Sequence, residues 1–326
     1  MKRRTFIAVL GVAAAWPLAG HAQRTERIRR VGVLMPFPEN SRNAQAYLTA
    51  FVQALERLGW VKDKNIRIDY RFAAGDPTLF KTYASELVSL APAAILASTA
   101  PALAAVQQQT RKIPIVFVIV PDPLGRGLVT SLARPGGNIT GFSSWDAAII
   151  GKWLQLLKGA APGVTRVAAI FNPDTAFAPS LNREIEGAPS VGMQMKLAPV
   201  HDEAEIEHTV AAQALEPGGG LICLPDAFNV THRDVIIAAA DRHRLPSIGS
   251  FEFARAGGLM SYWYDPVELH AQAASYIDRI LKGASPADMP VQQPTKYSLI
   301  INLKTAKTLG LTVPPSMLDL ADEVIE

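Results

Sequence analysis

Arg30-Val31-Gly32-Val33-Leu34-Met35-Pro36 decides the fold, because the chain writes it again as Arg166-Val167-Ala168-Ala169-Ile170-Phe171-Asn172-Pro173. Each run is basic at its start, continuously apolar, and closed by proline. That is the pattern of a strand buried on both faces of a parallel sheet. The opening valines, Val31 and Val167, lie 136 positions apart. Two further echoes keep nearly the same distance. Pro92-Ala93-Ala94-Ile95-Leu96 returns as Gly220-Leu221-Ile222-Cys223-Leu224, and Arg111-Lys112-Ile113-Pro114 as Arg242-His243-Arg244-Leu245-Pro246, with Pro114 and Pro246 132 apart. The spacing is far too long for a solenoid, so it predicts two lobes of one α/β topology.

Between these runs the periodicity turns helical. Tyr47, Ala50, Phe51, Ala54, Leu55 and Leu58 form an apolar stripe that Asn40 or Ser41 can cap and Gly59 can end. Ile66 to Tyr70 alternates like a strand nearer an edge. Phe80, Ala84, Leu87, Val88 and Ala91 mark a second helix before the buried run 93–97, and a third (about 100–110) precedes Ile113 to Val118. Strand-helix alternation implies parallel sheets flanked by helices. The turn-rich stretch 134–141 is expected to cross between lobes. A helix over 266–282, a strand-like 297–301 and a short helix over 302–309 suit a chain that crosses more than once. The expected lobes are 23–140 with 266–295, and 141–265 with 296–326, joined by a hinge.

Residues 1–22 read as a secretory leader. Lys2, Arg3 and Arg4 precede an uncharged apolar stretch, and Gly20-His21-Ala22 supplies small residues at the cleavage positions. Arg3-Arg4-Thr5-Phe6-Ile7 resembles a twin-arginine signal, while Lys2 and Ala8 depart from it, so both export routes stay open. Removing those three cations takes the formal charge from +3 to neutral. A neutral mature chain has no electrostatic footprint for nucleic acid. The one cysteine, Cys223, excludes an internal disulfide and reads as a core residue.

Catalytic signatures are missing. There is no phosphate-binding loop, G-x-S-x-G elbow or H-E-x-x-H; Gly125-Arg126-Gly127 reads as a turn. His201, His208, His243 and His270 lie scattered without metal spacing and read as solvated. No cofactor and no metal are expected. Polar groups do recur where strands end. Ser98-Thr99-Ala100 opens a helix, Asp122 sits between two prolines, and Asn172 and Asp226 follow second-lobe strands. Any one could simply cap a helix or start a turn. Together they suggest a cleft site at strand ends, joined by Phe37, Phe142, Phe251 and Trp263.

With those residues in view, the chain resembles the periplasmic substrate-binding proteins of ABC transporters, in the tryptophan/tyrosine-binding-like family. The resemblance is carried by Asp122-Pro123 through Gly127-Leu128-Val129, by 131–141, and by Gln293 to Tyr297 into Ile301 to Lys307. It implies a type I periplasmic binding fold with two Rossmann-like lobes, three hinge crossings and a ligand enclosed on closure. It also implies that Ser98, Thr99, Ala100, Asn172 and Ser180 hold a ligand carboxylate, and that Asp226 meets an ammonium group. Trp263 stands where the family usually has glycine, and Phe37-Pro38 where it is more polar; both bear on which solute fits. The expected protein is thus a monomeric, periplasmic, non-enzymatic partner of an inner-membrane ABC permease. It would capture a small polar solute, amino-acid-like and with aromatic ones among the candidates. A sensor that reports to a membrane receptor and a secreted α/β hydrolase are the rival readings.

Overall fold

The structure is a computed structural model that describes residues 28–144, 148–174, 191–250 and 252–326. The leader expected at 1–22 lies outside them. Element labels below run over the described residues in chain order.

The first sheet is built from β1 (Arg29–Met35), β2 (Ile66–Phe72), β3 (Ala94–Ser98), β4 (Ile115–Val120) and β5 (Ile139–Ser143). All its pairings are parallel, in the order β2-β1-β3-β4-β5. Four helices cover it: α1 (Arg42–Arg57), α2 (Pro77–Ser89), α3 (Ala100–Gln109), and one from far downstream described below. Alternation along β1 sorts the two faces. Val31, Val33 and Met35 pack with Tyr47, Phe51 and Leu55 of α1, while Leu34 packs with Phe80 and Leu87 of α2 and Leu103 of α3. Local chemistry places the helices. Ser41 Oγ accepts from the Ala44 amide at 3.1 Å to start α1, and the Asp76 carboxylate accepts from Thr78 and Leu79 ahead of α2.

The second sheet contains β6 (Arg166–Phe171), β7 (Gln194–Pro199), β8 (Gly219–Cys223), β9 (Ser247–Gly249), β10 (Met260–Tyr264), β11 (Tyr297–Asn302) and β12 (Glu323–Ile325). Its order is β12-β11-β10-β9-β8-β6-β7, with only β10 and β11 antiparallel. The segment β7-β6-β8-β9-β10 repeats the order of the first sheet strand for strand, so the echoes quoted above are β1 with β6, β3 with β8, and β4 with β9. The associated helices are α4 (Ala148–Ala160), α5 (Glu203–Ala214), α6 (Ala227–Thr231), α7 (Arg233–Arg242), α8 (Pro266–Leu281), α9 (Leu303–Thr308) and α10 (Pro315–Leu318). Of these, α8 leaves the second lobe and packs on α1 and across β3, β4 and β5. It is the fourth helix of the first lobe, opened by Pro266 and capped by Asp265, whose carboxylate accepts from Val267 at 2.8 Å.

The chain passes between the sheets three times: after β5, between β10 and α8, and between Gln292 and β11. These crossings touch. Ser143 donates to the Gln292 carbonyl and Gln292 to that of Gly141, so the third crossing leaves alongside β5. Ser144 and Tyr264 share a hydrogen bond, and Tyr262 stacks on Tyr297 at 5.3 Å.

One expectation needs correction. The stretch 134–141 is not the crossing, because Ile139 to Gly141 already belong to β5, and the first sheet extends to Ser143, past the boundary expected at 140. Gly141 looks like a turn residue in the sequence. Its role is close approach, since a Cβ there would run into the Phe117 carbonyl oxygen on β4.

Candidate ligand-binding site

Both sheets have the doubly wound order, in which the crevice opens where the winding reverses, at the carboxyl ends of the strands. In the first sheet that point lies between β1 and β3. In the second it lies between β6 and β8. The residues at those four strand ends are Phe37, Ser98-Thr99, Asn172 and Asp226, all of them expected from the sequence. Asp122 follows β4, one strand further out.

Thr99 is the unusual member. Its backbone has φ 79° and ψ 162°, a conformation essentially confined to glycine, and threonine is β-branched besides. It stands at the cap position of α3 yet makes no side-chain capping bond, and its Oγ1 is buried without a hydrogen-bond partner among the described residues. A strained backbone and an unspent hydroxyl thus coincide at the start of α3. Ile119 (φ 60°) and Asp122 (φ 42°) on the neighbouring strand end share the left-handed backbone. Asp122 Oδ1 accepts from the Gly125 amide at 2.8 Å, and its charge offsets the loss of basicity that burial imposes on Arg126.

Ser98 turns the other way. It is fully buried, and its hydroxyl lies 3.1 Å from His270 Nε2 on α8. In the second lobe, Asp226 caps α6. Its Oδ1 accepts from the Asn229 amide at 2.8 Å and its Oδ2 from the Asn172 amide at 3.1 Å, so one carboxylate staples the ends of β6 and β8 together. The Asn172 side-chain oxygen accepts from the Asp174 amide at 2.8 Å.

The aromatic expectations divide. Phe37 is half-buried and meets Tyr47 edge-on at 5.9 Å. Phe142 packs on Tyr276 of α8, and Trp263 on Trp153 and Tyr264; both are core side chains. Ser180 and Phe251 lie outside the described residues. Sequence reasoning missed Tyr47 and His270. Burial lifts the Tyr47 phenol far above its usual range, and the carboxylates of Asp265 and Glu252 add to this, so a first-lobe side chain senses charge from the second lobe. His270 was expected in solvent and is fully buried. Its place on the stripe Val267, Ala274, Ile277 was the available signal. Cys223 is a core residue as expected, its thiol pushed up by burial.

The comparisons agree with this architecture. The family model described as ABC transporter substrate binding protein matches residues 30–325. A tyrosine-binding protein from Clostridioides difficile (strain R20291) is 28% identical over 277 residues, which is 80% of this chain and 75% of that protein. The crystal structure of a conserved domain protein from Vibrio cholerae superposes with a TM-score of 0.81 at 27% identity, covering 91% of this chain and all of that one. An ABC domain from Streptococcus pneumonia in complex with L-Trp gives a TM-score of 0.81 at 25% identity, over 91% and 99% of the two chains. The chain belongs to the ABC transporter substrate-binding proteins and has their two-lobed type I periplasmic fold.

Proposed function

We propose that this substrate-binding protein captures an aromatic α-amino acid between its lobes and delivers it to an inner-membrane ABC permease. Thr99 carries the reading. An unpartnered buried hydroxyl on a strained turn, at the start of a ten-residue helix, is suited to a carboxylate. Asp226 stands at the equivalent strand end of the other lobe. Its carboxylate accepts the Asn172 and Asn229 amides, which fix it at that strand end, and its negative charge suits an ammonium group. The tyrosine and tryptophan named for two relatives fit a ligand with both groups and an aromatic ring. Closure would move the second sheet with its helices against the first sheet, α1, α2, α3 and α8, bending at the three crossings. Capture does no chemistry. The apolar leader at 1–22 supports export, and the mature chain would act as a periplasmic monomer.

Isothermal calorimetry with L-tyrosine and L-tryptophan tests this. Thr99→Val keeps the branched shape and removes the hydroxyl, and should weaken binding by about ten- to a hundredfold, the worth of a hydrogen bond to a charged group. If neither amino acid binds the parent, the aromatic amino-acid reading is wrong. Binding that Thr99→Val leaves intact would move the carboxylate elsewhere in the cleft.

A further inference from the structure

Behind the Thr99 turn lies one buried polar group that the reading above does not use. His270 Nδ1 is 2.7 Å from the Pro266 carbonyl oxygen. A carbonyl can only accept, so Nδ1 holds the proton and Nε2 is the bare, accepting nitrogen. The Ser98 hydroxyl, 3.1 Å away, therefore donates to Nε2. The imidazole lies flat on Tyr47, with ring centres 4.4 Å apart and planes 17° from parallel. A hydrogen-bond chain thus runs from Pro266, the first residue of α8, through His270 to Ser98, the residue before Thr99. Pro266 is also where the chain re-enters the first lobe at its second crossing.

Strained conformations persist only where the surroundings hold them. The Thr99 side chain makes no bond that could do so, and its immediate neighbour Ser98 makes its one described side-chain bond to His270. We propose that His270 is a positioning residue, which through Ser98 holds the Thr99 turn in its ligand-receiving form and ties that turn to the second interlobe crossing. The ligand half of this statement rests on the reading that a carboxylate docks at Thr99.

The arrangement has a built-in titration. From α1 the ring is stacked by Tyr47. The spans of β3, β4 and β5 carry no ionisable side chain; the carboxylates of its own helix are Glu268 and Asp278, with Asp265 at the cap, and none of them noticeably moves the ring's basicity. Burial therefore governs the ring and holds its pKa down at about 4, against a small opposing pull from the Pro266 carbonyl. A proton on Nε2 would force the Ser98 hydroxyl to reverse and leave an unpaired charge in the core.

Two variants separate positioning from packing. His270→Phe keeps a flat ring on Tyr47 and removes both hydrogen bonds; His270→Gln keeps an acceptor within reach of Ser98 and does not titrate. Hydrogen exchange would be followed in the ligand-free full chain at the amides of Thr99, Ala100, Ala102 and Leu103, with Val31 to Met35 as the reference. L-Tyrosine and L-tryptophan affinity would be measured from about pH 7.5 to about 3.5, a range that spans the folded-state value of about 4. His270→Phe should speed exchange at 99–103 but not in β1, and weaken binding about tenfold, the loss of one buried hydrogen bond. His270→Gln should restore both, and it should lack the fall in affinity expected of the parent as the pH drops through about 4. Parent-like exchange at 99–103 in His270→Phe overturns the proposal. If that variant fails to melt cooperatively, a His270→Gln pH profile identical to the parent's overturns it. If neither amino acid binds the parent, the function reading fails by itself, and the exchange comparison still decides the role of His270.

Discussion

The turns that follow β3 and β8 occupy the same place in the two repeated lobes, yet they are finished in opposite ways. Asp226 has an ordinary extended backbone (φ −115°) and spends both oxygens on the amides of Asn172 and Asn229. Thr99 has φ 79°, leaves its hydroxyl unspent and makes no cap. One turn completes itself from its own lobe. The other is held from behind by a histidine on the crossing helix and stays unsatisfied at the front. Repetition of a topology therefore does not repeat its energetics: the second lobe has a turn closed by its own carboxylate, and the first a strained one.

The comparison can be broken at its strongest point first. Asp226→Ala strands two buried amides that now bond a carboxylate, and should cost about 4 kcal/mol in urea unfolding. Asp226→Asn should cost less, since an amide oxygen still accepts one of them. An Asp226→Ala protein as stable as the parent would show that the second turn is not self-completing.

Acid probes the other side. A histidine held at about 4 when folded and near 6.5 when unfolded leaves the fold undisturbed above pH 6.5. Below it the unfolded chain binds the extra proton, so stability falls between pH 6.5 and 4, by about 3 kcal/mol in all. His270→Gln should remove that slope from a plot of unfolding free energy against pH. An unchanged slope would mean that other groups set the acid limit.

Thr99→Gly gives the smallest shift and the sharpest contrast. Glycine adopts the turn without strain, although it gives back part of the gain through a more flexible unfolded chain, for a net stabilisation of about 1 kcal/mol without ligand. The same variant should bind its solute more weakly. Thermal unfolding with and without L-tyrosine reads both effects, and a variant less stable than the parent in the free state would refute stored strain at Thr99.

Much of the fold was legible because parallel strands buried on both faces write themselves as apolar runs, and β1, β3, β6 and β8 did so. The strands β7, β9 and β10 were not assigned from sequence. Ser247–Gly249 is too short to show a period, and Met260–Tyr264 is rich in aromatic residues that also suited the cleft. Strand β5 was hidden by Gly141, whose tertiary reason lies on another strand. The site was legible as a set of strand ends and illegible in its orientations. Nothing in Ser98-Thr99 says that the serine hydroxyl meets a buried partner and the threonine hydroxyl none, because that partner, His270, lies 172 positions away.

Helix α8 carries a consequence for the order in which the molecule can be assembled. It supplies Leu269, Ala273, Ala274, Tyr276 and Ile277 to the face of the first sheet that also bears Leu96, Val116 and Val118. As the ribosome feeds out the chain, β1 to β5 emerge early, but their cover arrives only after β6 to β10 have been made. The lobe that is synthesised first thus waits for most of the second, and a nascent chain halted between β6 and β10 leaves the first sheet bare along α8's footprint.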